Sequence, residues 1–372
     1  MNDAPTPSLP AGTGRPTAAR LAAFWAILLA TPLVLVVLAV QAYYLYAYLT
    51  LPAYYCGSFA DLDAEIGWVL KPGAESCIGG VDPNTGETAF EVPVFVNADG
   101  ARAASTDVPT AQGGALVIGD SWSFGYGIAY EDTFAARLDR DHRVPTALFA
   151  SPAYSGAQAL LLGRRAVRAA RPEAIVYLEL GFLWRAVCTG DTRPGDILKP
   201  CYWTGPDGTA ELVLPEPGAV LSAAQMGRWP GGIVGAGGGG LSYFLVSRPL
   251  AKLSQFMVHA GLASGFGDDF APVAPEDELT AIRRAHARGL SDLAQEAGAP
   301  LLLIDPHGFY QEFQPLPGID YVDGDTWARA VIDPAEALPE SERSVPADNH
   351  YGPGIHGLIA DLIATRLAEV LE

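Results

Sequence analysis

Charge is scarce in this 372-residue chain, and cationic charge scarcer still. Only 17% of residues are charged, with 23 Lys and Arg against 42 Asp and Glu, for a formal net charge of −19. Nucleic-acid affinity rests on Lys and Arg neutralising phosphates, so this balance argues against a nucleic-acid partner. Cysteine is limited to Cys56, Cys77, Cys188 and Cys201, none in a Cys-x-x-Cys pair, which leaves a zinc site without support. The Gly-x-Ser-x-Gly spacing of the α/β-hydrolase nucleophile elbow is missing, and there is no internal repeat.

The cysteines fall into two local pairs, each separated by Gly, Pro and polar residues. We expect Cys56–Cys77 and Cys188–Cys201 as loop staples, which persist in an oxidising compartment.

Charge is also absent between Arg20 and Asp61. The apolar stretch 21–51 exceeds the ~20 helical residues that a bilayer core requires. Trp25 lies near one end, and Tyr43, Tyr44, Tyr46 and Tyr48 near the other, where aromatic rings favour the headgroup level. Arg15 and Arg20 precede the stretch, and Asp61, Asp63 and Glu65 follow it. The positive-inside rule then predicts a single-pass inner-membrane protein with a cytoplasmic N-terminus and a periplasmic or extracellular remainder. A cleaved signal peptide is the rival, with a shorter apolar core and a candidate cleavage site at Ala39–Ala42.

Residues 1–20 are rich in Pro, Thr, Ala and Gly and read as a disordered tail. Residues 52–113 read as an irregular, turn-rich lead-in with a few strands, packed on the main domain 114–372. There, short apolar runs at Ala115–Ile118, Thr146–Ala150, Ile175–Leu180 and Pro300–Ile304 alternate with helical text at Thr133–Leu138, Leu160–Ala170, Glu276–Ala297 and Ile355–Leu371. That alternation predicts a parallel sheet covered by helices. Residues 190–270, with Gly237–Gly240, interrupt it as an insertion near the ligand-facing edge, either a substrate-shaping lid or a surface excursion.

The run Ala115–Gly127 ends a hydrophobic strand in Gly119-Asp120-Ser121. Ligands of open α/β sheets sit at the carboxyl ends of strands, which puts Ser121 where a nucleophile belongs. Serine needs a base. His350 precedes the last helix, two residues after Asp348, so the carboxylate can hold one ring nitrogen while the other takes a proton. Asp305 and His307, at the end of another candidate strand, form a competing pair. His356 reads as structural.

These blocks resemble the SGNH hydrolase superfamily, the GDSL-like esterases and lipases, in its membrane-tethered bacterial form. The first matches Gly119-Asp120-Ser121, extended by Phe124-Gly125-Tyr126-Gly127 and Glu131-Asp132-Thr133-Phe134. The last matches Asp348-Asn349-His350, with Gly354 and His356 beyond. The lead-in segments 65–72 and 96–102 look like the preface of tethered members.

The resemblance implies a flavodoxin-like three-layer α/β/α sandwich. It implies Ser121 as nucleophile, His350 as base and Asp348 as its orienter. The oxyanion hole would comprise the N–H groups of Ser121 and Gly156, the latter in a block where Ser151 stands for the usual Asn. The third block departs further, since residues 181–185 read Gly-Phe-Leu-Trp-Arg and lack the Asn that completes that hole. One such donor is typically worth about 100–1,000-fold in rate. Trp184 and Arg185 are the candidate substitutes. The implied activity is a serine esterase or O-acyltransferase acting through an acyl-enzyme on an acylated cell-envelope or extracellular carbohydrate, with no metal or organic cofactor. The alternative is a catalytically weak glycan-binding or assembly subunit of the same fold.

Overall fold

The structure is a computed structural model describing residues 18–49, 53–82, 85–181, 183, 186–188, 199–215 and 275–371. The chain divides into two units, Met1–Leu49 and Thr50–Glu372.

The first unit contains helix α1, Ala18–Leu49. Its described Trp25, Ile27, Leu28 and Val34–Leu38 are each about half exposed or more. Counted over the described residues, no helix is long and apolar enough to cross a membrane, and many α1 side chains are outside that description.

The second unit is a mixed α/β fold around a nine-stranded sheet. Its lead-in strands are β1 (Ala53–Tyr55), β4 (Glu75–Val81), β5 (Thr88–Val96) and β6 (Arg102–Ala103), paired antiparallel in that order. Strands β2 (Ala60–Asp63) and β3 (Gly67–Leu70) form a separate hairpin. The lead-in is therefore mostly continuous with the main sheet rather than an irregular layer laid on it. Gly79 and Gly80 in β4 hide this from the pattern, since Gly disfavours strands, but the Phe90 ring lies where a Cβ on Gly80 would stand.

Strand β6 pairs with β8 (Thr146–Ala150), and from there the sheet is parallel in the order β8, β7 (Ala115–Gly119), β9 (Ala174–Leu178), β12 (Leu301–Ile304), β13 (Ile319–Val322). Ranked along the chain, these five read second, first, third, fourth, fifth, the doubly wound order of flavodoxin-like sheets. Strands β10 (Cys201–Thr204) and β11 (Ala210–Val213) form a hairpin within the expected insertion. Most of that insertion, including Gly237–Gly240, lies outside the described residues.

Alternation along the parallel strands builds two cores. Leu116, Ile118, Ile175, Tyr177, Leu301 and Leu303 pack with α4 (Gly156–Ala170) and α5 (Glu276–Ala297). Val117, Leu148, Val176, Leu302 and Ile304 pack with α3 (Phe134–His142) and α6 (Pro353–Leu371). The sheet thus lies between two helical layers, because its strands are apolar on both faces. Helices α3 and α4 leave toward opposite faces, so the carboxyl end of β7 is a topological switch point.

Candidate active site

Strand β7 ends at Gly119, whose φ is +156°. A Cβ there would stand 2.2 Å from Ser123 Oγ and 2.7 Å from Ser123 Cβ, so the close approach requires glycine. Helix α2, the single turn Ser121–Phe124, follows, capped by Asp120 accepting from the Trp122 N–H at 3.0 Å. Gly125 ends it in the left-handed conformation.

The buried Arg102 pins this turn. Its guanidinium donates to the carbonyls of Phe124, Gly125 and Ile128, the last two at 2.8 and 2.7 Å, and lies 4.3 Å from the Phe124 ring centroid. Burial depresses its pKa to about 9, which still leaves it charged at neutral pH.

On this turn Ser121 is almost buried, and its hydroxyl meets His350 Nε2 at 2.8 Å. His350 Nδ1 meets Asp348 Oδ1 at 2.5 Å, and the same oxygen accepts from the His350 N–H at 2.9 Å. Burial pushes the Asp348 carboxyl up, but the hydrogen bonds from His350 outweigh it and hold the group below the usual carboxylate value. With Asp348 ionised, Nδ1 carries the imidazole proton and Nε2 is left to accept from the serine. The loop is braced by the Val345 N–H donating to the His350 carbonyl and the Gly352 N–H donating to the Arg343 carbonyl. An open cleft of about 780 Å³ adjoins Asp348, lined by Glu340, Ser341, Ser344 and Asn349 among others.

Asp305 and His307 are not joined in this way. Asp305 is buried and accepts from the Tyr310 N–H at 2.8 Å and the Tyr321 hydroxyl at 2.9 Å, while the His307 ring lies against Phe309. His356 is buried and stacked on Phe134, with Nδ1 accepting from the Phe134 N–H at 3.1 Å. Burial, then Arg102 and Arg137, push its pKa down to about 3, so it is a neutral structural group.

Gly156 is the first residue of α4, behind a Ser155–Gln158 capping box. As a first helical residue it has an N–H with no intrahelical partner. A Cβ on it would stand 2.9 Å from His286 Nε2 and 3.0 Å from the Tyr177 hydroxyl. Ser151 is buried, and its N–H donates to the Gly119 carbonyl at 3.3 Å. Trp184 and Arg185 lie outside the described residues. Both cystines are present, Cys56–Cys77 and Cys188–Cys201.

Several neighbours carry no motif. Glu179, at the end of β9, is buried and accepts from the Tyr177 hydroxyl and the Gly181 N–H, both at 2.8 Å. Burial outweighs these bonds and pushes its pKa up to about 7. His286 is buried, its Nδ1 is 2.9 Å from the Tyr202 hydroxyl, and burial pushes its pKa down to about 3. Glu179 had one sequence signal, a lone acid in the apolar run Val176–Leu180.

Among known proteins, several solved structures, including three esterases, are similar in part. No family model matches the chain, and no curated protein does. One structure is a carbohydrate esterase family 2 enzyme with a carbohydrate-binding domain from Corynascus thermopiles (Myceliophthora fergusii), with TM-score 0.33 and 12% identity, covering 74% of this chain and 70% of that one. A second is the acetyl xylan esterase Est2A from the rumen bacterium Butyrivibrio proteoclasticus, with TM-score 0.33 and 11% identity, covering 73% and 66%. The third is a carbohydrate esterase described as having divergent catalytic and non-catalytic binding functions, with TM-score 0.36 and 9% identity, covering 86% and 98%.

Proposed function

We propose that the chain is a serine esterase of SGNH type acting on acylated carbohydrate through an acyl-enzyme. The observation that carries this is the Ser121 Oγ to His350 Nε2 contact at 2.8 Å, with Asp348 holding the opposite ring nitrogen. Ser121 Oγ bonds to the ester carbonyl carbon as its proton passes to Nε2. The alcohol leaves with that proton as its C–O bond breaks. Water, or a sugar hydroxyl, then attacks the acyl-enzyme and gives its proton to Nε2, which returns it to Ser121 as that ester bond breaks. The proposed oxyanion donors are the N–H groups of Ser121 and Gly156, with Trp184 or Arg185 as a third. The carbohydrate substrate rests on the motif resemblance, and hydrolysis and transfer to a sugar use the same residues.

The same reading has α1 as a membrane anchor, with the catalytic unit on the non-cytoplasmic side. Support comes from the uncharged run between Arg20 and Asp61, the exposed apolar side chains of α1, and the two cystines, which suit an oxidising compartment. Recovery of the full chain in the carbonate-washed membrane fraction is expected; recovery in the soluble fraction would remove the anchor.

The catalytic test is hydrolysis of p-nitrophenyl acetate and labelling by a fluorophosphonate, using the full chain. Ser121→Ala and His350→Ala are expected to abolish both, and His307→Ala to leave both within about threefold of wild type, a range typical of a residue outside the reacting groups. Equal rates for wild type and Ser121→Ala would overturn the reading.

A further inference from the structure

The His350 imidazole is packed against two aromatic rings carried by the nucleophile's own turn. The Trp122 ring centroid lies 4.7 Å from that of the imidazole at an interplanar angle of 36°, and the Tyr126 ring 4.8 Å away at 32°. Both angles are nearer to face-on than to edge-on, so the imidazole meets the π faces. Each ring has a neighbour of its own: Tyr351 meets Trp122 edge-on at 4.4 Å, and Phe90 meets Tyr126 edge-on at 6.3 Å. Trp122 is half-buried and Tyr126 buried.

Several of the described charged and titratable groups lie near this ring, and Glu340 lines the cleft beside Asp348. Asp348 comes from its own loop and Ser121 from α2, both in hydrogen-bond contact. Asp120 caps the same turn, Tyr351 follows in the loop, and His356 of α6 is neutral. Arg102 is engaged with the carbonyls beneath the turn. When the imidazole holds the serine proton it becomes a cation with one carboxylate and two negative π faces against it.

We propose that Trp122 and Tyr126 are positioning residues: they fix the imidazole between Ser121 and Asp348 and favour the imidazolium that exists while the serine proton is in transit. This rests on the esterase reading of the site. A group acting on the cation alone lowers the barrier without binding substrate, so its effect falls on kcat rather than KM. One consequence is that sequence position 122, directly after the nucleophile, is constrained by the base rather than by the substrate.

The test measures p-nitrophenyl acetate kinetics and fluorophosphonate labelling rates on the full chain. Trp122→Leu is expected to lower kcat about tenfold with KM changed less than about twofold, and Trp122→Phe to retain most of the rate, as a restored π face requires. Tyr126→Leu and Tyr126→Phe should divide in the same way. Where Tyr126→Leu loses its cooperative melt, the half-exposed Trp122 pair decides. Equal kcat for Trp122→Leu and Trp122→Phe, with wild type active and Ser121→Ala dead, would overturn the clamp alone. A raised KM at unchanged kcat in Trp122→Leu would overturn it too, marking the indole as a substrate wall. A wild type no faster than Ser121→Ala would remove both the esterase reading and the clamp.

Discussion

The guanidinium of Arg102, on the lead-in strand β6, donates at 2.8 Å to the carbonyl of Gly125, the residue that ends the Ser121 turn. A residue outside the parallel sheet's own loops therefore sets the height of the nucleophile. Arg102→Met would remove the guanidinium from three buried carbonyls, of which that of Gly125 keeps another donor, the Ile128 N–H, costing about 2–4 kcal/mol in stability and at least tenfold in kcat. Denaturant melts and ester hydrolysis measure the two. A folded Met variant with at least half of wild-type kcat would separate the arginine from the site.

Asp348 fixes which nitrogen of His350 bears the proton. Asp348→Asn preserves size but offers an amide that favours the other tautomer. The expected loss is about 10³–10⁴-fold in kcat with KM little moved. A loss below tenfold would mean that the loop geometry alone orients the ring.

Gly119 and Ser123 are in steric register. Gly119→Ala should destabilise the domain by about 2–4 kcal/mol, because its Cβ overlaps Ser123 and the backbone is at positive φ. Ser123→Gly in the same chain should recover part of that loss, a non-additive pair visible in a double-mutant cycle. Strict additivity would show that the overlap is relieved elsewhere.

Asp63 gives the fold a pH dependence of known sign. Burial raises its pKa, but the bonds from Arg165 at 2.6 and 2.9 Å and from the Ile66 and Glu65 N–H groups hold it below its ordinary value. A carboxyl with a lowered folded pKa stabilises above its unfolded value and loses that contribution as pH falls through the folded one. Asp63→Asn should lower the Tm by about 1–2 °C at neutral pH, a modest shift because Arg165 is partly exposed, and the gap should close in acid, once the pH falls through the lowered folded value. A gap that persists in acid would assign the effect to packing.

The parallel core and the Ser121–His350–Asp348 grouping were legible because strong local signals coincided with them. The strand Thr146–Ala150 and the helix Glu276–Ala297 have the limits their apolar periodicity gives. Gly-Asp-Ser at a strand end and Asp-x-His before a closing helix are local patterns, and the fold brings them together. What was not legible depends on distant partners. Strand β13, Ile319–Val322, is as short as β12 but carries Asp320 and is mostly half-buried, so it lacks the apolar run that marks Leu301–Ile304 and is defined by its pairing with β12. The buried His286 and Glu179 make sense only once Tyr202, Tyr177 and Gly181 surround them. Trp122 and Tyr126 carry no local signal of a link to the base, because the His350 imidazole that packs against them comes from a distant part of the chain.

Strand β1 has three residues and forms one border of the nine-stranded sheet, and the Cys56–Cys77 bond fastens the chain just beyond it to β4. So short a margin has little pairing of its own to keep it in place. Were the thiols kept reduced, β1 could peel away and bare the backbone amides of β4 as a template for another chain. Cytosolic synthesis of the domain would then yield self-associating material even with its interior intact.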